Sequence, residues 1–190
     1  MKRGTQLMLA LGLAVSVAAC GADDRAADAN NPARDTGAVG TSGTIAAGDR
    51  DFIQDQLQDG QKEIALGEVA LNRATNPQVK EFAQMMVRDH QAAGAELKQI
   101  ASKHNVQLEA DKAEDVTEAR ERLTKVDAAD FDREYMKAMV DEHQEAVDEI
   151  EKKAESDHAE VRQWAAKTLP KVREHLDHAK RLRDTVEKHN

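Results

Sequence analysis

From Asp49 onward, apolar residues recur in alternating steps of three and four. Between Asp49 and Thr75 the stripe is Ile53, Leu57, Gly60, Ile64, Gly67, Leu71 and Ala74, one face of an amphipathic helix. Asn76-Pro77 predicts a stop and a restart, with Asn as N-cap and Pro at the first helical position. A second stripe holds Val79, Ala83, Met86, His90, Ala93, Leu97 and Ala101, and ends near His104-Asn105. The connection from Val106 to about Asp127 should contain a short helix around Glu114–Lys125. A third long helix, from about Ala128 to Ser156, carries Met136, Met139, His143, Ala146, Ile150 and Ala154. The fourth starts near Asp157 and carries Val161, Ala165, Thr168, Val172, His175, Ala179, Leu182 and Val186. Pro170 should kink it by leaving the Ala166 carbonyl unbonded. Four helices of roughly 27–30 residues, each about 40 Å long, bury four such stripes most economically as a four-helix bundle. Periodicity does not decide whether the long connection crosses the bundle lengthwise.

The second and third stripes contain near-copies, "MVRDHQ" at Met86–Gln91 and "MVDEHQ" at Met139–Gln144. His90, His143 and His175 each interrupt the apolar stripe of a different helix near its midpoint. Midpoints of equal helices share a height in a bundle whichever way the chain runs, so the three imidazoles should meet in one layer. The first helix offers Glu63 at that height, flanked one turn away by Gly60 and Gly67. Two mid-helix glycines cost about 1 kcal/mol each relative to Ala, and would make room beside the carboxylate.

Three imidazoles and a carboxylate in a bundle core suit a transition metal, with Zn, Cu, Fe or Mn as candidates. Asp89, Glu142 and Glu174 directly precede the three histidines and point about 100° away. There they could orient a neighbouring imidazole or become further ligands. Met86 and Met139 stand one turn before His90 and His143, where methionine is ordinarily core filler. The other explanation of the layer is a closed Glu–His hydrogen-bond network that sets helix register. His158 and His178, which also follow acidic residues, are expected on the surface. Carboxylate-bridged di-iron bundles use Glu-x-x-His on two helices. Here Val87, Val140 and Val172 occupy the position three before each histidine, so that chemistry is not expected. No Gly-rich phosphate loop, cysteine nucleophile or serine placed to work with a histidine is evident, and enzymatic activity is not indicated.

The N-terminal part differs. Lys2 and Arg3 precede an apolar run from Leu7 to Ala18, too short for the roughly 20 residues of a membrane span and typical of a secretory signal. Val17-Ala18-Ala19-Cys20 resembles the bacterial lipobox, in which the cysteine is lipidated. Cys20 is the only cysteine, which excludes a disulfide within the chain and a cysteine metal site. Residues 21–48, rich in Ala, Asp, Asn, Gly and Thr, have little to bury and should be a disordered tether, reaching about 30 Å. The expected organisation is a signal peptide at 1–19, lipidated Cys20 with its linker to 48, and the bundle at 49–190. Gly21 after the cysteine resembles sorting signals for the outer membrane, so the expected location is its periplasmic face. Without Lys2 and Arg3 the chain holds 25 basic and 36 acidic residues, a net charge of −11. That charge argues against nucleic acid as a partner; the lipid anchor implies a membrane, and the sequence names no protein partner. Aromatic residues make up only 3% of the chain, which suits a bundle packed with Ala, Leu, Val and Met.

"DFIQDQLQDGQKEIALGEVAL", "EFAQMMVRDHQ", "FDREYMKAMVDEHQ" and "WAAKTLPKVREHL" together resemble the bacterial domain-of-unknown-function family 4142, secreted or envelope proteins of the ferritin-like clan. The resemblance runs from Asp49 to about Arg183. It implies a ferritin-like four-helix bundle with a long crossover connection. The family's recurring Glu, Asp-His and Leu-Pro…His positions correspond to Glu63, Asp89-His90, Glu142-His143 and Leu169-Pro170…His175, with Glu142 replacing the second Asp. It implies no activity. Two functions stay open: an envelope lipoprotein that binds a transition metal in a metal-handling or stress-related role, or a non-catalytic structural or partner-binding helical module.

Overall fold

The computed structural model describes residues 44–109 and 113–188, which form one unit. Five helices follow one another: α1 Ala47–Arg73, α2 Pro77–Lys103, α3 Ala113–Thr124, α4 Phe131–Lys153 and α5 Ala159–Glu187. The described residues are all helix and turn, as the stripes require, and α3 is the short helix expected in the connection. None of these helices is long and apolar enough to cross a membrane. The lipobox, Cys20 and most of the expected tether lie outside the described residues.

Local chemistry sets the boundaries. Asn76 caps α2 by accepting the Gln78 N–H at 2.8 Å, with Pro77 at the first helical position. At the other end of α2, Asn105 adopts φ 53°. Its N–H reaches the Ser102 carbonyl, and the Val106 N–H reaches that of Ala101 at 2.9 Å. These are the paired bonds of a Schellman stop, where Asn tolerates the left-handed conformation. The bundle begins before Asp49. Ile45 is 2% exposed and belongs to the core, so the linker ends earlier than composition suggests. Asp49 itself is buried, bound by Lys153 Nζ at 2.8 Å and Ser156 Oγ at 2.7 Å.

Contacts at both ends reveal the topology. The α4 residue Asp132 accepts from Thr75 Oγ1 at 2.7 Å and the Asn76 N–H at 2.8 Å, beside the α1–α2 turn. Lys153, at the far end of α4, meets the start of α1. Helices α1 and α4 are therefore antiparallel, while α2 and α4 run the same way. The connection between α2 and α4 has to travel the length of the bundle. It does so along α1, from Glu109, whose N–H donates to Gln54 at 3.0 Å, up to Arg73. Arg73 donates to the carbonyls of Leu123, Thr124 and Val126, and its guanidinium lies over the Phe131 ring. Two antiparallel pairs joined by one lengthwise crossover are the arrangement of ferritin-like bundles.

The α1 stripe departs from expectation. Leu71 is 37% exposed and Ile64 only half-buried, whereas Leu66, Val69 and Ala70 are buried. A stripe drawn at 3.5 residues per step drifts around a helix of 3.6, and α3 covers part of a second face of α1.

Candidate metal centre

His90 on α2, His143 on α4 and His175 on α5 converge, with one nitrogen of each within 4.8 Å of the others. Glu63 of α1 closes the layer. Its Oε2 lies 2.5 Å from His90 Nε2, and its Oε1 lies 3.4 Å from His143 Nδ1. Glu63 is 3% exposed, His143 1% and His175 4%. His90 is the least enclosed, with 16% of its side chain exposed.

The second nitrogens determine what these rings offer. His143 Nδ1–H donates to the Met139 carbonyl at 2.9 Å, one turn back on its own helix. His175 Nε2–H donates to Asp89 Oδ2 on α2 at 3.1 Å. Each ring is thereby held in one tautomer, and its free lone pair is left on His143 Nε2 and His175 Nδ1. Both of these atoms are buried without a hydrogen-bond partner. Anchoring one imidazole nitrogen on a carbonyl or carboxylate so that the other faces an ion is how metal-binding histidines are usually oriented.

Charge follows from burial and neighbours. Burial alone would raise the Glu63 carboxyl, but His90 and His143 pull it down to about 2. Burial works against a charged His90, and Glu63 overrides it and raises its pKa. Burial lowers His143. Burial and the two neighbouring imidazoles lower His175 to about 4. The layer thus favours a charged Glu63 and a protonated His90, beside two imidazoles whose neutral form is favoured. The Glu63–His90 contact is a close charge pairing without an aligned hydrogen bond.

The acidic neighbours separate into three roles. Asp89 holds His175, and also pairs with Arg88 at 3.0 Å. Glu142 turns to Lys62 of α1 at 2.5 Å and touches no imidazole. Glu174 is exposed and takes no part in the cluster's contacts. An i−1 residue sits about 100° off the histidine's direction, so its target depends on which helix lies there. The two glycines also differ. A Cβ on Gly67 would come within 2.9 Å of Val87 Cγ2 and 3.3 Å of the Ala83 carbonyl, so Gly67 permits close approach of α1 and α2. A Cβ on Gly60 would meet His90 Nδ1 at an ordinary 3.8 Å.

His158 is not a surface residue. It is 8% exposed, both ring nitrogens lack partners, and its ring lies edge-on to His104 at 4.5 Å. His178 is half-buried, edge-on to Phe82. The turn that carries His158 is drawn under α1 by the Ser156–Asp49 bond, a tertiary contact invisible to local spacing. Sequence reasoning also missed the Met139 carbonyl, a backbone group with no residue signature.

Residues 35–182 match the family described as Domain of unknown function (DUF4142). The chain belongs to that family. None of the proteins of curated function matches its sequence. Among solved structures, a DUF305 fragment from Deinococcus radiodurans superposes with a TM-score of 0.64 at 15% identity, over 77% of this chain and 99% of that one. CopM in its Cu(I)-bound form gives 0.61 at 21% identity, over 72% and 96%. Its silver-soaked form gives 0.62 at 20%, over 75% and 97%. At these identities the likeness is one of fold.

Proposed function

We propose that this protein is an envelope lipoprotein, anchored through Cys20 on the periplasmic face of the outer membrane, whose bundle binds a transition-metal ion. Its role is metal handling or tolerance of metal-linked stress. His90, His143 and His175 supply nitrogen, and Glu63 supplies oxygen. The observation that carries this reading is the pair of orphaned lone pairs, His143 Nε2 and His175 Nδ1, buried in the same layer. A register-setting network would close on itself, because an unmade buried hydrogen bond costs about 1–3 kcal/mol. This network is open on the side where the imidazoles converge.

The donor set fits. Tetrahedral nitrogens around zinc lie about 3.4 Å apart for bonds of about 2.0–2.1 Å, so nitrogens within 4.8 Å of one another need close by at most about 1.4 Å. The cavity beside Glu63, His90 and His175 is about 40 Å³, room for an ion or a water rather than an organic substrate. Three imidazoles and a carboxylate suit Cu(II), Zn(II) or Fe(II). That CopM is known in Cu- and Ag-bound forms supports a metal on this fold.

Titration of metal-free protein with Zn, Cu, Mn and Fe tests the reading. Stoichiometric binding should raise the melting temperature, because a ligand held only by the native state stabilises it. His90→Ala and His143→Ala should each abolish the rise. His104→Gln should keep it, since His104 pairs with Glu160 far along the bundle. A melting curve indifferent to every metal would leave the structural-module reading standing.

A further inference from the structure

Helix α1 carries Asp51, Asp55, Asp59 and Glu63, each four residues after the last. Carboxylates at this spacing face one another and repel, so three successive pairs on one helix call for an explanation. Burial increases along the row: Asp51 and Asp55 are exposed, Asp59 is half-buried and Glu63 is buried.

The spaces they line follow one another in the same order. Asp51 and Asp55 line a surface groove of about 580 Å³ beside Gln107 and Glu109. Asp55 and Asp59 line a cavity of about 160 Å³, with Glu149 of α4 and Asp115 of α3. Asp59 and Glu63 line the innermost cavity of about 40 Å³, with His90 and His175. Each space shares a carboxylate with the next, and the volumes fall towards the histidines. The row ends on a real acceptor of cations, because His175, 4% exposed, turns an unpartnered Nδ1 into the layer.

Basic neutralisation along the row is incomplete. Lys62 is the only basic side chain in the middle cavity's wall, and it is engaged by Glu142 at 2.5 Å and Asp59 at 3.5 Å. Arg50 stands in the outer groove among Asp51, Asp55 and Glu109. Burial lifts the Asp59 carboxyl against the pull of Lys62, and Glu63 and Asp55 add to the rise. Burial likewise lifts Glu149, again with Asp59 and Asp55 contributing. His90 also faces a second depression, at the α1–α2 seam between Gly60 and Gly94, but the charged side chain there is Lys98. Lys171 also lines the innermost cavity, where it pairs with Asp89 at 3.5 Å, so the first opening is rich in carboxylates with paired bases, whereas the second has a lysine and no carboxylate.

We infer that Asp51, Asp55 and Asp59, with Glu149 opposite, form the entry path that draws a divalent transition-metal ion from solution to Glu63 and the three histidines. The inference rests on the metal-binding reading of that layer and adds the route. Each carboxylate replaces part of the ion's hydration before the next is reached. Lys62 holds Glu142 and part of Asp59 until the incoming charge competes for them.

Cu(II) uptake by the metal-free protein tests the path. Trp164, the only tryptophan, lines the innermost cavity, and Cu(II) beside it quenches its fluorescence. In stopped-flow mixing at low salt, Asp59→Asn and Asp55→Asn/Asp59→Asn should slow association by about fivefold or more, as loss of electrostatic steering does. Their rates should also depend less on salt, with one Cu(II) still bound per chain. Glu174→Gln, on an exposed acid away from the row, should match wild type. Unchanged rates in both Asp variants, with stoichiometric binding intact, would overturn the path alone. Wild-type protein that takes up no Cu(II) would overturn the path together with the site.

Discussion

The carboxylate of Asp89 on α2 reaches across to α5 and accepts the Nε2–H of His175 at 3.1 Å. That bond sets which nitrogen of His175 faces the layer. Asp89→Ala frees the ring to turn and removes a charge that strengthens it as a donor. The expected outcome is metal affinity weaker by about 10–100-fold with unchanged stoichiometry. Calorimetric titration with Zn measures both, and equal affinity in the variant would show that Asp89 does not orient a ligand.

The layer also predicts how metal-free stability depends on pH. His175 is lowered from 6.5 to about 4. The unfolded chain therefore takes up its proton first, and stability falls as pH drops from about 6.5 to about 4. Glu63 is lowered from 4.5 to about 2, so its contribution is present above about 4.5 and is lost on further acidification. His90 is raised, so its pairing with Glu63 is lost instead as pH climbs through its elevated folded value. Denaturant midpoints at intervals between pH 7 and 4 should fall, and His175→Gln should flatten the upper part of that fall.

Arg73 clasps the end of the crossover through three carbonyls, two of them at 3.2 and 2.7 Å. Asp132 ties α4 to the α1–α2 turn. Arg73→Ala and Asp132→Ala should each cost about 1–3 kcal/mol, read from urea unfolding. Because Arg73 and Asp132 contact the turn and the crossover rather than the histidines, Zn stoichiometry should not change.

Cys20→Ser should move the protein from the membrane fraction to the soluble envelope fraction. Sedimentation with membranes equal to wild type would remove the lipid anchor from the proposed function.

Much of the bundle was legible because helix packing is written locally. The stripes, the Asn76-Pro77 restart and the His104-Asn105 stop are short-range features, and the structural counterparts of the last two are the Asn76 cap on the Gln78 N–H and the Asn105 bond to the Ser102 carbonyl. The layer was legible for a related reason: one histidine in each of three stripes, each near a helix midpoint, with Glu63 at the same height on the first helix, leaves few other places to meet. The Asp51–Asp55–Asp59–Glu63 spacing was equally visible in the chain. Its meaning depended on which cavities those side chains line.

What the sequence alone determined is the set of helices, most of the buried faces outside α1, and the height at which Glu63, His90, His143 and His175 sit, because 3.6-residue periodicity turns position into direction. What only the tertiary structure decided is partnership. Asp89 crosses to His175, Glu142 is taken by Lys62, Glu174 stays outside, and His158 is buried against His104. These outcomes depend on helix order around the bundle and on a crossover that makes α2 and α4 parallel. Neither leaves a local trace, because contacts between residues far apart in the chain are set by packing rather than by any spacing along it.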